Sequence, residues 1–239
     1  MTANDATSGL KRLNRTSLSD RAYEEIRTAL KRSRLKPGQK LVLRALAAEL
    51  GISATPVREA LLRLVADQVL ELDERGTVWV PAIDLGRYLE IRGLRVLLEG
   101  EAGEIAAERA KPADIDRLAR LHQGMCKAAS EADLQRALEA NERFHLELAR
   151  LAALPLHLRF IEQLWSQAGP MLDTLQARLD NLRRADHEHL AVIQGLRDRD
   201  GPAVRRAIVR DIVAGGQPVL EHLERTGRGP VAATASLDA

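Results

Sequence analysis

Four residues combine a donor atom with an unusual place in the sequence. Asn141, His145, His189 and Asp211 carry oxygen or imidazole donors, and each falls within a series of mainly apolar residues spaced three and four apart. The series 134, 138, 141, 145, 148, 152 sets Asn141 and His145 one turn apart among leucines. The series 185, 189, 192, 196 includes His189, and 204, 208, 211, 215 includes Asp211. Side chains on such stripes point into a helical body, where polar groups need partners and charges need them more. One divalent cation would satisfy all four. An i, i+4 pair plus single donors from two other helices is a workable cage for Zn, Ni or Mn. The alternative is a set of hydrogen-bonded core residues. His122 and His222 also fit stripes, while His157 and His187 read as facing water, so the pattern alone leaves the choice open.

A second chemistry, phosphate and base-edge contact, is written near the other end. Residues 11–63 hold thirteen Lys/Arg and five Asp/Glu, a balance of +8. Residues 81–239 hold 22 basic and 24 acidic residues, a balance of −2. A basic end beside a near-neutral body fits phosphate contact by one part only.

The elements that must position these groups follow from periodicity and turn residues. Over residues 35–81, Pro37-Gly38 marks a turn and Leu43–Leu50 a short helix ending at Gly51. Ser53 is placed to cap a second helix, with Pro56 in its first turn, where a missing N–H costs little. Val57, Leu61 and Leu64 line that helix's apolar face, and Ala54, Thr55 and Arg58 fall away from it. The runs 69–72 and 77–80 around Asp73-Glu74-Arg75-Gly76 read as a hairpin. Helix, turn, helix and hairpin is the layout of a winged helix-turn-helix, whose second helix enters the major groove.

After Gly86 the pattern is helical. Ile91, Leu94, Leu98 and Ile105 mark a helix over roughly 85–110, and Ile115, Leu118 and Met125 the next. Leu134 to Ala152 mark a third, and Phe160, Leu164, Met171 and Leu175 one or two more around Gly169-Pro170. Val192 and Leu196 mark another, and Val204, Ile208 and Val219 the last. The expected fold class is mostly α: a winged helix-turn-helix with a small β-hairpin wing, then an all-α bundle of six to seven helices. The predicted divisions are an arm (1–16), the DNA-binding module (17–81), a linker (82–86), the helical domain (87–225) and a tail (226–239). No run approaches a membrane span and the first ten residues lack a signal pattern, so a cytoplasmic location without membrane contact is expected. The single cysteine, Cys126, rules out an internal disulfide and a multi-cysteine metal site. With 3% aromatic residues, single-strand binding on stacked aromatic platforms is disfavoured.

The module resembles the GntR family of bacterial transcription regulators, through Leu35-Lys-Pro-Gly38, Leu46-Ala47, Leu50-Gly-Ile-Ser53, Thr55-Pro-Val-Arg-Glu-Ala-Leu61, Gly76 and Val80. The body resembles the FCD-type effector domain of the FadR subfamily, through Arg95-Val-Leu-Leu-Glu99, Phe144-His145, Glu188-His189 and Asp200. The resemblance implies a homodimeric, ligand-controlled repressor or activator that binds an inverted-repeat operator in double-stranded DNA. By position, Arg44, Ser53, Thr55, Arg58, Arg75 and Gly76 match family DNA-contacting residues. Ala54 departs from the Arg common there, so the usual guanine contact is missing. Many metal-binding members have Asp where this chain has Asn141 and His where it has Asp211, so the carboxylate has changed places across the expected cage.

The family's effectors are small organic acids or related metabolites, and Arg95, or else Arg92, is the expected partner of such an acid. Arg95 can equally form an i, i+4 salt bridge with Glu99. Two rivals stand beside this reading: a DNA-binding dimer that senses nothing, and a metal-dependent hydrolase or lyase. For the second there is no His-Glu-x-x-His run, and Glu142 and Glu147 lie off the stripe.

Overall fold

The computed structural model describes residues 17–32, 34–82, 84–168 and 186–226. The head opens with a helix absent from the expected elements, α1 (Leu18–Lys31). Ser17 caps it: its hydroxyl accepts from Asp20 N–H while the Asp20 carboxylate accepts from the Ser17 backbone. Ala22, Ile26 and Leu30 bury its inner face. Strand β1 (Lys40–Leu41), α2 (Leu43–Leu50), α3 (Ala54–Ala66), β2 (Glu71–Leu72) and β3 (Val78–Trp79) follow. The hairpin is antiparallel as expected, but β1 adds a third strand, giving the order β1-β3-β2.

Gly51 ends α2 with φ 65°, the left-handed region that a side chain disfavours, and this sets the turn into α3. Ser53 occupies the N-cap of α3, yet its side chain makes no capping hydrogen bond, which corrects that expectation. Val57, Ala60, Leu61 and Leu64 of α3 pack with Ile26, Leu30, Leu41, Leu70 and Val80 in the head's own core.

The body comprises α4 (Leu85–Arg109), α5 (Pro112–Ser130), α6 (Leu134–Leu151), α7 (Pro155–Ala168), α8 (Asp186–Asp198) and α9 (Gly201–Thr226). Helices α4 and α9 run together closely. A Cβ on Gly103 would stand 3.2 Å from Val204 Cγ1, a contact tight enough that the valine would have to give way. Phe144, Leu148, Val192, Leu196, Val204 and Ile208 form the body's main core. Two predicted stripe members are not core: Leu94 is 41% exposed and Phe160 48% exposed. In α7 the buried stripe runs instead through Ile161, Leu164, Trp165 and Ala168. The predicted Met171, Leu175 and bend at Gly169-Pro170 lie outside the described residues.

Candidate functional site

The body brings α4, α6, α7, α8 and α9 together around a run of buried polar groups. Arg95 Nε donates to Glu99 Oε1 at 2.6 Å, one turn along α4. Glu99 Oε2 stands 2.6 Å from His145 Nδ1, and His145 Nε2 stands 2.8 Å from Asp211 Oδ2. Asp211 Oδ1 lies 3.7 Å from His189 Nε2. Glu99, His145, His189 and Asp211 are all at most 4% exposed. A chain of groups therefore crosses the domain as Arg95, Glu99, His145, Asp211, His189.

Sign and burial set the protonation. Burial alone would disfavour the His145 imidazolium, but Glu99 and Asp211 on either side outweigh it and push the group up to about 9. Burial would raise the Glu99 carboxyl, yet Arg95 and His145 hold it below its ordinary value. Asp211 is likewise held low, against its burial, by His189 and His145, with a further contribution from Arg95. In the absence of a cation His145 is thus doubly protonated and donates to both carboxylates. Leaving His189 out of the count, two carboxylates, one imidazolium and one guanidinium cancel, which is how a buried group of charges is tolerated.

Aromatic rings wall this chain. Phe144 stacks on His189 with ring centres 3.8 Å apart, and His122 meets the His189 ring edge-on at 5.6 Å. Arg95 lies 3.9 Å from the centre of the Trp165 ring, which is 5.2 Å from the His145 ring. Trp165 Nε1 and Asp211 Oδ1 are buried here with no hydrogen-bond partner among the described residues.

His145, His189 and Asp211 each offer a ligand atom within 4.8 Å of the others'. Asn141, the fourth predicted member, is half-buried one turn before His145 and takes no part in the hydrogen-bonded chain. Arg95 faces the site, but its guanidinium is taken by Glu99 and Trp165. The salt bridge with Glu99 is not a surface pair, because Glu99 is 2% exposed. Arg92 stands apart, 5.8 Å from the Tyr88 ring centre. Glu99 and Trp165 are absent from the predicted site. Glu99 was findable: 88, 91, 95, 99, 102, 106 is a stripe of threes and fours.

On the head, Arg44, Ser53, Thr55 and Arg58 are exposed, and α3 turns Ala54, Thr55 and Arg58 away from its buried face. Arg75 and Gly76 are exposed at the hairpin tip, where Gly76 has φ 74°. The Asp73 carboxylate ties the tip together, accepting from Trp79 Nε1 at 3.0 Å and from the backbones of Thr77 and Arg75 at 2.8 and 2.9 Å. These bonds, that from Trp79 foremost, stabilise the carboxylate and hold its pKa below the ordinary value.

A basic reading helix on a small hairpin domain, joined to a helical body with a polar interior, defines a two-part regulator. The family described as "Bacterial regulatory proteins, gntR family" matches residues 18–80, and the FCD domain family matches residues 90–214. The chain belongs to the GntR family, in its FCD-bearing branch, and is a DNA-binding transcription regulator rather than an enzyme. It is 29% identical over 202 residues to the HTH-type transcriptional regulator McbR of Escherichia coli K12, covering 84% of this chain and 91% of that protein. The solved structure of E. coli McbR/YncC superposes with a TM-score of 0.81 at 28% identity, over 87% of this chain and 99% of that one. A probable D-xylose utilization operon transcriptional repressor of Paenarthrobacter nicotinovorans is 28% identical over 213 residues, covering 88% of this chain and 91% of that protein. No helix among the described residues is long and apolar enough to cross a membrane.

Proposed function

We propose that the protein is a homodimeric, ligand-responsive regulator, a repressor, whose grip on an inverted-repeat operator is set by a small organic acid held with a divalent metal in the body. The observation that carries this reading is the hydrogen bond between His145 Nδ1 and Glu99. A histidine whose Nδ1–H is held by a carboxylate presents Nε2 as a ligand in a fixed direction. Nε2 faces Asp211, whose Oδ1 has no hydrogen-bond partner among the described residues, and His189 stands beside it. The donor set of two imidazoles and one carboxylate suits Zn, Ni or Mn, with the Asn141 carbonyl as the fourth ligand. When bound, the metal supplies a Lewis-acidic centre that binds anions.

Charge explains why the effector should be an acid. In the metal-free chain of groups the charges cancel. A divalent ion in place of the His145 proton leaves one positive charge in excess, and a monocarboxylate restores balance. Arg95 is the side chain of this chain's own that would receive the carboxylate, since its present partner Glu99 retains His145.

Homodimerisation is supported by exposed apolar residues along α4, where Leu89, Leu94 and Leu97 are 40, 41 and 60% exposed. A two-fold dimer carries two reading helices and so requires a two-fold operator. Arg44 and Arg58 contact phosphate, Thr55 reaches base edges, Ser53 binds at the start of α3, and Arg75-Gly76 follows the backbone from the wing. The name of the Paenarthrobacter relative supports repression. The site of action is the cytoplasm. Metal analysis of the purified protein beside His145→Ala/His189→Ala tests the cage: loss of metal in the variant supports it, and equal content refutes it.

A further inference from the structure

Head and body meet along a polar joint that neither the DNA contacts nor the buried site requires. Asp67 ends the reading helix α3. Its carbonyl accepts from Gln163 Nε2 at 2.7 Å and from Gln167 Nε2 at 3.4 Å, both on α7 of the body. Gln68, next in sequence, has φ 57°, a left-handed conformation unusual for a side-chain-bearing residue, so the chain is sharply turned there. Its Oε1 accepts from Arg87 of α4 at 2.9 Å, and the same Arg87 nitrogen donates to Gln167 Oε1 at 2.7 Å. Gln167 is 7% exposed. Its amide uses both ends, N–H toward Asp67 and carbonyl toward Arg87.

Two amides and a guanidinium are an expensive way to hold two domains if adhesion alone were needed, since apolar contact is nondirectional and free of desolvation cost. Hydrogen bonds fix direction as well as distance. Here they bind the last turn of α3, whose opposite end carries Ala54, Thr55 and Arg58. Over a helix of 13 residues a tilt at one end displaces the other relative to base edges.

We propose that Arg87, Gln163 and Gln167 are positioning residues for DNA reading: acting from the body, they fix the carbonyl end of α3 and thereby set sequence discrimination without touching DNA. The inference rests on α3 being the reading helix. It also assigns α7 a second role. At about 100° per residue, Trp165 lies about 200° around α7 from Gln163, so one face of α7 holds α3 while the other faces Arg95 and His145.

The test uses the full chain and a duplex selected by the wild type from a random pool, with a scrambled duplex of equal length as reference, at one fixed salt concentration. Gln163→Leu/Gln167→Leu keeps volume and net charge. The expected result is an affinity for the selected duplex about tenfold lower, as for the loss of one good hydrogen bond, with affinity for the scrambled duplex unchanged because phosphate attraction is intact. An unchanged ratio between the two duplexes overturns the proposal. If the double variant fails to fold, judged by its circular dichroism, the two single variants take its place, and an unchanged ratio in both overturns the proposal equally. Failure of the wild type to select any sequence is a different result: it removes α3 as the reading helix, and the proposal with it.

Discussion

His145 on α6 and Glu99 on α4 are joined by a 2.6 Å contact through His145 Nδ1, and both are buried to within 2% of full enclosure. The imidazole is therefore oriented from another helix, with its other nitrogen committed to Asp211. In the proposed reading, a metal ion bound by His145 Nε2 takes the place of the proton in that second contact.

Glu99→Gln keeps the shape and removes the charge. It removes the carboxylate that Arg95 and His145 share, leaving Asp211 as the only carboxylate beside His145 and Arg95 without its buried partner, so the metal-free protein loses about 3 kcal/mol. Thermal unfolding shows this as a lowered midpoint. Metal affinity falls roughly 10- to 100-fold because the ligand loses its orienting carboxylate. A variant as stable and as tight as the wild type contradicts the role given to Glu99.

The pH dependence of the metal-free protein follows from His145. Its folded value, about 9, lies above the ordinary histidine value of 6.5, so its stabilising contribution is complete below pH 6.5 and is lost as pH rises through 9. Glu99 and Asp211 are shifted down, so theirs is present above the ordinary carboxylate values and lost as pH falls through their lowered ones. Denaturant titrations across pH should show a plateau between the carboxylate range and about pH 6.5, a progressive decline from there to about pH 9, and no further loss from this group beyond it. His145→Ala should lack the alkaline decline.

Metal uptake should follow the same proton. His145 must release it before Nε2 can act as a ligand, so the apparent affinity should rise about tenfold per pH unit toward 9. Competition with a chelator of known pH behaviour measures this slope. A flat profile shows that His145 is not a ligand.

On the head, Arg58→Ala should weaken binding to every duplex alike and reduce the dependence of log affinity on log salt by about 1, the signature of a lost phosphate contact. Ala54→Arg should instead change the selected sequence and introduce a guanine at the position facing residue 54. Anisotropy titrations over a salt series, and sequencing of the selected pool, read the two effects. A guanine requirement already present in the wild type contradicts the reading of Ala54.

The sequence displays these two halves unequally. In the head, Gly51, Val57, Leu61 and Leu64 determine local geometry, so helix, turn and buried face were visible in spacing alone. Helix α1 was legible too, though absent from the expected elements: Ser19, Ala22, Ile26 and Leu30 are spaced three and four apart, and Ser17 with Asp20 forms a capping pair. In the body, His145, His189 and Asp211 were visible as polar members of apolar stripes. Glu99 was legible in the same way, as a member of the stripe 88, 91, 95, 99, 102, 106, but its i, i+4 spacing from Arg95 also fits a surface pair, and the packing of α4 on α6 separates the two cases. The joint at Asp67 was hidden for a different reason: it is made by a backbone carbonyl and two glutamines 96 and 100 residues away, and no periodicity marks such a contact.

The central claim is that the body governs the head. The most direct measurement is the affinity of wild type and His145→Ala/His189→Ala for one selected duplex, metal-free and zinc-loaded, each against a panel of small carboxylic acids. The wild type should change affinity by about fivefold or more with zinc and one of the acids, while the variant binds the duplex equally under all conditions. A wild type that responds to no addition, or a variant that responds as the wild type does, contradicts the account.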